Sequence, residues 1–184
     1  MDKLELTLHL SKTHNVPYVS DAVVILLKQT LLQRKPKRIL EIGTGVGYSS
    51  AVMHATLPDS HITTIELDPN RHAIASHTLI GSPIECINGD ATQILENFVA
   101  LNQSFDMLFL DGPKGQYARH FELADRLLPS GGIIFADNTS MKKASPDCAA
   151  AKGMQRFITT ITNHPNYTAS VLNIGDGVIL AVKN

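Results

Sequence analysis

Short apolar runs alternate with stretches of helical periodicity along this chain, and that alternation limits the fold more than any other feature. The apolar runs lie at residues 38–42, 62–66, 84–87, 105–110 and 132–136. They do not alternate strictly between polar and apolar, which is the pattern of strands covered on both faces. Helical signals fill the gaps. Asp21 is placed to cap a helix carrying Val23, Val24, Leu27 and Leu31. Asp68 followed by Pro69 puts a hydrogen-bond acceptor before a proline at the first helical position. Tyr117, Phe121, Ala124 and Leu128, and then Met154, Phe157, Ile158 and Ile161, recur at helical spacing and read as core stripes. Such alternation builds βα units and a parallel sheet with helices on both faces. Two last strands, 168–172 and 177–182, are separated only by Asn173-Ile174-Gly175-Asp176, a hairpin turn. A mostly parallel sheet ending in a hairpin must include an antiparallel strand, and an ordinary dinucleotide-binding domain does not end this way.

No repeat, low-complexity tract or linker divides the 184 residues, so we expect one α/β domain over 1–184. A domain of this size buries roughly 70% of its unfolded surface and needs no staples. The 16 basic and 17 acidic side chains leave a net charge of -1, which excludes a global basic field for gripping phosphate backbones. Cys86 and Cys148 form no CxxC pair, and reduced thiols are expected. The eight histidines make no HxxxH or HExxH pattern, and His72 and His77 read as scattered residues. The N-terminus mixes charged with apolar residues and is not a signal peptide, and no apolar run approaches the ~20 residues of a membrane span. A cytoplasmic protein with no membrane partner is expected.

The first strand runs into Glu41-Ile-Gly-Thr-Gly-Val-Gly-Tyr-Ser-Ser50. Glycines let a backbone turn sharply and approach a ligand closely. The spacing is GxGxG, with Tyr48 where GxGxxG has its third glycine. By itself the loop fits either a nucleotide site or a plain strand-to-helix turn. The second strand ends in Glu66, and an acid there can accept hydrogen bonds from both ribose hydroxyls. This implies an adenosine ligand without saying which one. The third strand runs into Asn88-Gly-Asp90-Ala91, where Asp90 can cap a helix, bind an adenine amino group, or do both.

Together these residues make the chain similar to the cation-dependent O-methyltransferases of the catechol and caffeoyl-CoA type, especially the bacterial members. One bacterial branch of these methylates 5-hydroxyuridine in transfer RNA. The resemblance spans Asn15-Val-Pro17 and Val19, then EIGTGVGYSS, IELDP, NGDA, FLDGPKGQY, ADN and the terminal IGDGV. FLDGPKGQY followed by ADN carries most of the specificity. The resemblance implies a Rossmann-like, seven-stranded class I methyltransferase sheet, mostly parallel with an antiparallel C-terminal strand. It implies S-adenosylmethionine as cofactor, lined by Glu41, Gly43, Gly45, Ser49, Glu66, Asp90, Ala91 and Asp111, with Val19 closing over it. Asp111, Asp137 and Asn138 would bind a divalent metal, and Lys114 would be the catalytic lysine beside Asp111. Their hard oxygen donors suit magnesium first, with manganese and calcium also possible. A homodimer is implied in the same way.

The acceptor stays open between a small catechol-like hydroxyl compound and hydroxylated tRNA. The loop 139–146 departs from the family pattern and is expected to border the acceptor pocket. Two other classes compete. An NAD-type oxidoreductase or sensor explains the glycines and Glu66 but not Asp111 with Asp137-Asn138. A non-catalytic RNA-binding protein would need more than the pair Lys142-Lys143.

Overall fold

A computed structural model describes residues 2–140, 145 and 147–184. The strands are β1 (Arg38–Ile42), β2 (His61–Glu66), β3 (Ile84–Asn88), β4 (Met107–Leu110), β5 (Ile133–Asp137), β6 (Tyr167–Leu172) and β7 (Val178–Lys183). They form one seven-stranded sheet in the order β3-β2-β1-β4-β5-β7-β6. The first five pair in parallel, and β7 runs antiparallel between β5 and β6. The expected hairpin is thus the device that inserts the antiparallel strand. Strand ends move by a residue or two from the sequence reading. Phe105 and Asp106 precede β4, where Phe105 packs against Phe98 and the Asp106 carboxylate accepts from the Lys37 and Arg38 amides at 2.8 and 2.9 Å.

The helices are α1 (Lys3–Thr13), α2 (Asp21–Arg34), α3 (Tyr48–Thr56), α4 (Pro69–Thr78), α5 (Ala91–Ala100), α6 (Tyr117–Asp125) and α7 (Ala149–Thr162). The apolar strands serve two cores. Leu40, Ile42, Leu108, Leu110, Ile134 and Ala136 pack with α5, α6 and α7. Ile39, Met107, Phe109, Ile133 and Phe135 pack with α2 and α3. Neighbouring residues on a strand point to opposite faces, so strands sandwiched between helices must be apolar at nearly every position.

Asp68 caps α4 as expected, accepting from the Asn70 and Arg71 amides at 2.8 and 3.1 Å. Asp21 does not cap α2: Ser20 takes that position, and Asp21 is the first helical residue. An acid in the first turn suits the helix dipole as well as a cap does, so the same letter serves either place. The stripe ending at Leu128 outruns α6, which stops at Asp125, although Leu128 is still buried. The helix α1 had no counterpart in the sequence reading. Asp2 caps it through the Glu5 amide at 2.8 Å, and Lys3 Nζ reaches the Leu79 carbonyl at 3.2 Å and Ser82 Oγ at 2.6 Å. That anchorage sets the following segment, residues 15–19, over the carboxyl ends of the strands. Among the described residues no helix is long and apolar enough to cross a membrane.

Candidate active site

In an open α/β sheet, ligands bind beyond the carboxyl ends of the strands where the strand order reverses. Here that point lies between β1 and β4, and a cavity of about 610 Å³ opens there. Its walls come from the turn after β1, the ends of β2 and β3, the loop after β4, Asn138 after β5, and the segment following α1.

The glycine turn is shaped by close approach. Gly43 has φ +102°, and a Cβ there would lie 2.5 Å from the Asp111 carbonyl oxygen. A side chain at this position would push the turn off the end of β4. Glu66 faces the cavity and is 7% exposed. Its carboxylate accepts from the Gly45 amide at 2.7 Å and from the Asp68 amide at 2.9 Å. Each carboxylate oxygen has a second lone pair, so the group stays able to accept from a ligand's hydroxyls. Asp90 also lines the cavity, and it caps α5 by accepting from the Gln93 amide at 3.1 Å. Its two sequence readings are therefore compatible. Ala91, Ser49, Gly43, Gly45 and Val19 are in the wall as well.

Glu41, expected in that wall, lies beneath it. Its side chain is fully buried and accepts hydrogen bonds from Ser49, Ser50 and Thr64, the last at 2.6 Å. Thr64 is its register partner on β2, so the carboxylate has hydroxyls closer at hand than the cavity. Burial pushes its pKa up to about 6 against the pull of those hydroxyls. Glu41 thus ties β1, β2 and α3 together under the glycine turn.

The acidic corner of the cavity gathers the other expected residues. Asp111 and Lys114 form an ion pair, Nζ to Oδ1, of 2.9 Å, and each side chain is about one-fifth exposed to the cavity. Lys114 opens a 3₁₀ turn, Lys114–Gln116, that leads into α6. Burial pushes Asp111 up to about 6; Lys114 opposes the shift and Asp137 adds to it. Asp137 is also raised, chiefly by burial. Asp137 is 1% exposed and sits behind the cavity wall rather than in it. Its Oδ1 accepts from the Asn138 amide at 2.7 Å, while Oδ2 is buried without a partner among the described residues. Asn138 reaches the wall with φ +59°, an outlier that asparagine tolerates better than most side chains. Among the described residues no three His, Cys, Asp or Glu side chains gather as a ready-made metal site. The donor set is two carboxylates and one amide. It still fits a hard divalent cation: two neighbouring carboxylates disfavour each other's charge, and one oxygen has no donor among the described residues.

Sequence reasoning missed several wall residues and one buried group. Tyr18 and Arg71 line the cavity, and Tyr18 stands at its mouth, 42% exposed, with its ring edge-on to Tyr48. Tyr117, read as core, has its hydroxyl 2.8 Å from Lys114 Nζ. The spacing Lys-x-x-Tyr inside GPKGQY was the available signal. Of the loop 139–146, residues 141–144 and 146 lie outside the described residues, and so does the pair Lys142-Lys143.

Comparisons with known proteins agree with this architecture. A family model described as O-methyltransferase matches residues 5–184. A catechol O-methyltransferase of Niastella koreensis is 32% identical over 161 residues, 79% of this chain and 73% of that protein. A caffeoyl-CoA O-methyltransferase of Stellaria longipes is also 32% identical, over 62% of this chain and 51% of its own length. Among solved structures, an O-methyltransferase of Streptomyces achromogenes involved in tomaymycin synthesis, in complex with SAM, superposes with a TM-score of 0.89. It is 28% identical, with 100% of this chain and 90% of that one covered. An O-methyltransferase of Bacillus cereus in complex with SAH gives a TM-score of 0.88 at 26% identity, covering 99% of this chain and 90% of that one. The antiparallel β7 departs from the ordinary dinucleotide-binding sheet of the NAD-type reading, and the match to O-methyltransferases stands against a non-catalytic RNA-binding protein. The chain belongs to the O-methyltransferase family, enzymes that draw their methyl group from S-adenosylmethionine.

Proposed function

We propose that this chain, acting as one domain over residues 1–184, is a metal-dependent O-methyltransferase for an acidic hydroxyl on a small, catechol-like acceptor. The observation that carries this is the pairing of Lys114 with Asp111 at the cavity wall, beside Asp137, whose buried Oδ2 has no donor among the described residues. Likeness to the catechol O-methyltransferase supports the acceptor class.

The cofactor's ribose would be held by Glu66, its adenine edge by Asp90, and the rest of it by the glycine turn under Val19. Methyl transfer from a sulfonium is an in-line displacement, so the acceptor oxygen must be a strong nucleophile. A phenol has a pKa near ~10 and is mostly protonated at neutral pH. Asp111, Asp137 and Asn138 would hold a divalent cation, magnesium first. That ion supplies Lewis-acid stabilisation of the acceptor oxygen when bound. Lys114, as the cation paired with Asp111, stabilises charge developing on the same oxygen; in its neutral form it can accept the hydroxyl proton. Val19 and the segment before it shield the cavity from solvent. The reading includes a cytoplasmic homodimer, which light scattering tests for assembly.

The deciding experiment is methyl transfer from labelled S-adenosylmethionine to a catechol panel and, in parallel, to tRNA lacking its native modification, with and without chelator. Turnover of a catechol that chelator abolishes is expected, with Asp111→Ala inactive and Lys114→Ala slower by about 10²–10⁴. Full activity in excess chelator refutes the metal role. Turnover confined to tRNA replaces the acceptor class.

A further inference from the structure

Tyr117 begins α6 and is completely buried, its ring set edge-on against Phe157 of α7 at 5.5 Å. Packing alone asks only for a phenylalanine here. A phenol hydroxyl buried without partners is costly, so the groups around it explain why it is present. Its oxygen lies 2.8 Å from Lys114 Nζ, 3.0 Å from the Leu110 carbonyl and 3.1 Å from the Asp137 carbonyl. A hydroxyl has one proton and two lone pairs, whereas an ammonium only donates. The direction of the network follows. Lys114 donates to the Tyr117 oxygen, and Tyr117 gives its own proton to a carbonyl at the end of β4 or of β5.

This leaves Lys114 with little freedom. One of its three N–H groups goes to Asp111 and a second to Tyr117. The third is left for the cavity that Lys114 lines. A lysine on a four-carbon stem otherwise carries large rotamer freedom. The turn beneath it is braced as well, since a Cβ on Gly153 of α7 would come within 2.6 Å of the Gly115 carbonyl oxygen.

We propose that Tyr117 is a positioning residue: its hydroxyl fixes the Lys114 ammonium at the acceptor side of the cavity and ties it to the ends of β4 and β5. The inference rests on the reading of Lys114 given above, and its test separates the two. Tyr117→Phe keeps the ring and removes only the oxygen. The first readout is the Nζ resonance of Lys114 in ¹⁵N-lysine-labelled protein, assigned by its loss in Lys114→Ala. It is expected to be an ordered, slowly exchanging signal in the wild type, and to be averaged or lost in Tyr117→Phe. The second is a kinetic cycle. Tyr117→Phe should lower kcat about tenfold, with acceptor KM and cofactor Kd within threefold, and should have no further effect in a Lys114→Ala background. An unchanged Nζ signal in Tyr117→Phe overturns the proposal. So does an equal loss of rate in both backgrounds, which marks a structural role through the two carbonyls. Near-normal turnover of Lys114→Ala, with the Nζ signal still lost in Tyr117→Phe, removes the lysine from the chemistry and leaves the positioning intact.

Discussion

Glu66→Ala should separate two roles that one carboxylate holds together. Its oxygens accept from the Gly45 and Asp68 amides at 2.7 and 2.9 Å, and the same group faces the cavity. Losing the two backbone partners costs about 1 kcal/mol each, so stability should fall by about 2 kcal/mol. For a domain of this length that is a drop of roughly 4–8 °C in Tm. Losing the bonds to the ribose costs a further ~1.5–3 kcal/mol in cofactor binding, or about ten- to a hundredfold in Kd. Glu66→Gln keeps one acceptor oxygen but turns an NH₂ group towards one of the two amides, and it should fall between the wild type and Glu66→Ala on both scales. Calorimetric titration with S-adenosylmethionine reads the affinity, and a thermal melt reads the stability. If Tm falls while Kd stays within threefold of the wild type, Glu66 is a strut for the glycine turn and the ribose assignment is wrong.

Gly43→Ala puts a methyl group against the Asp111 carbonyl at a positive φ, and should cost about 2–4 kcal/mol and roughly 5–15 °C in Tm; an unchanged melt would contradict the close approach. His120 is fully buried, and burial pushes its pKa down from 6.5 to about 4. The unfolded chain therefore binds this proton first, so its contribution is complete above about pH 6.5 and is lost as pH falls towards 4. Relative to His120→Leu, the wild type should lose about 3 kcal/mol across that window, measured by urea denaturation at several pH values; parallel curves would refute the burial argument. Exchanging residues 139–146 for those of a relative should change acceptor preference while cofactor Kd stays within a few fold, as measured by competition between acceptors.

The order of the strands and of the helices after α1, the glycine turn and the closing hairpin were all legible in the sequence. Each is a local pattern: apolar runs, helical spacing, a cap followed by proline, four residues between two strands. The acids at the strand ends were legible for the same reason, because a strand's end is marked by where its apolar run stops. Only the tertiary structure decided what each polar atom faces. Glu41 and Glu66 both sit near the end of an apolar strand, yet Glu41 turns to Thr64 and two serines of α3 while Glu66 turns to the cavity. Tyr117 was legible as core from its spacing, but the partners of its hydroxyl come from β4, β5 and the turn before α6. The packing of α1 depends on Lys3 reaching the end of α4, more than seventy residues away. Periodicity reports which face of an element is buried. The direction of a buried polar group is set by whichever donors and acceptors the fold brings within about 3 Å, and those partners are distant in sequence.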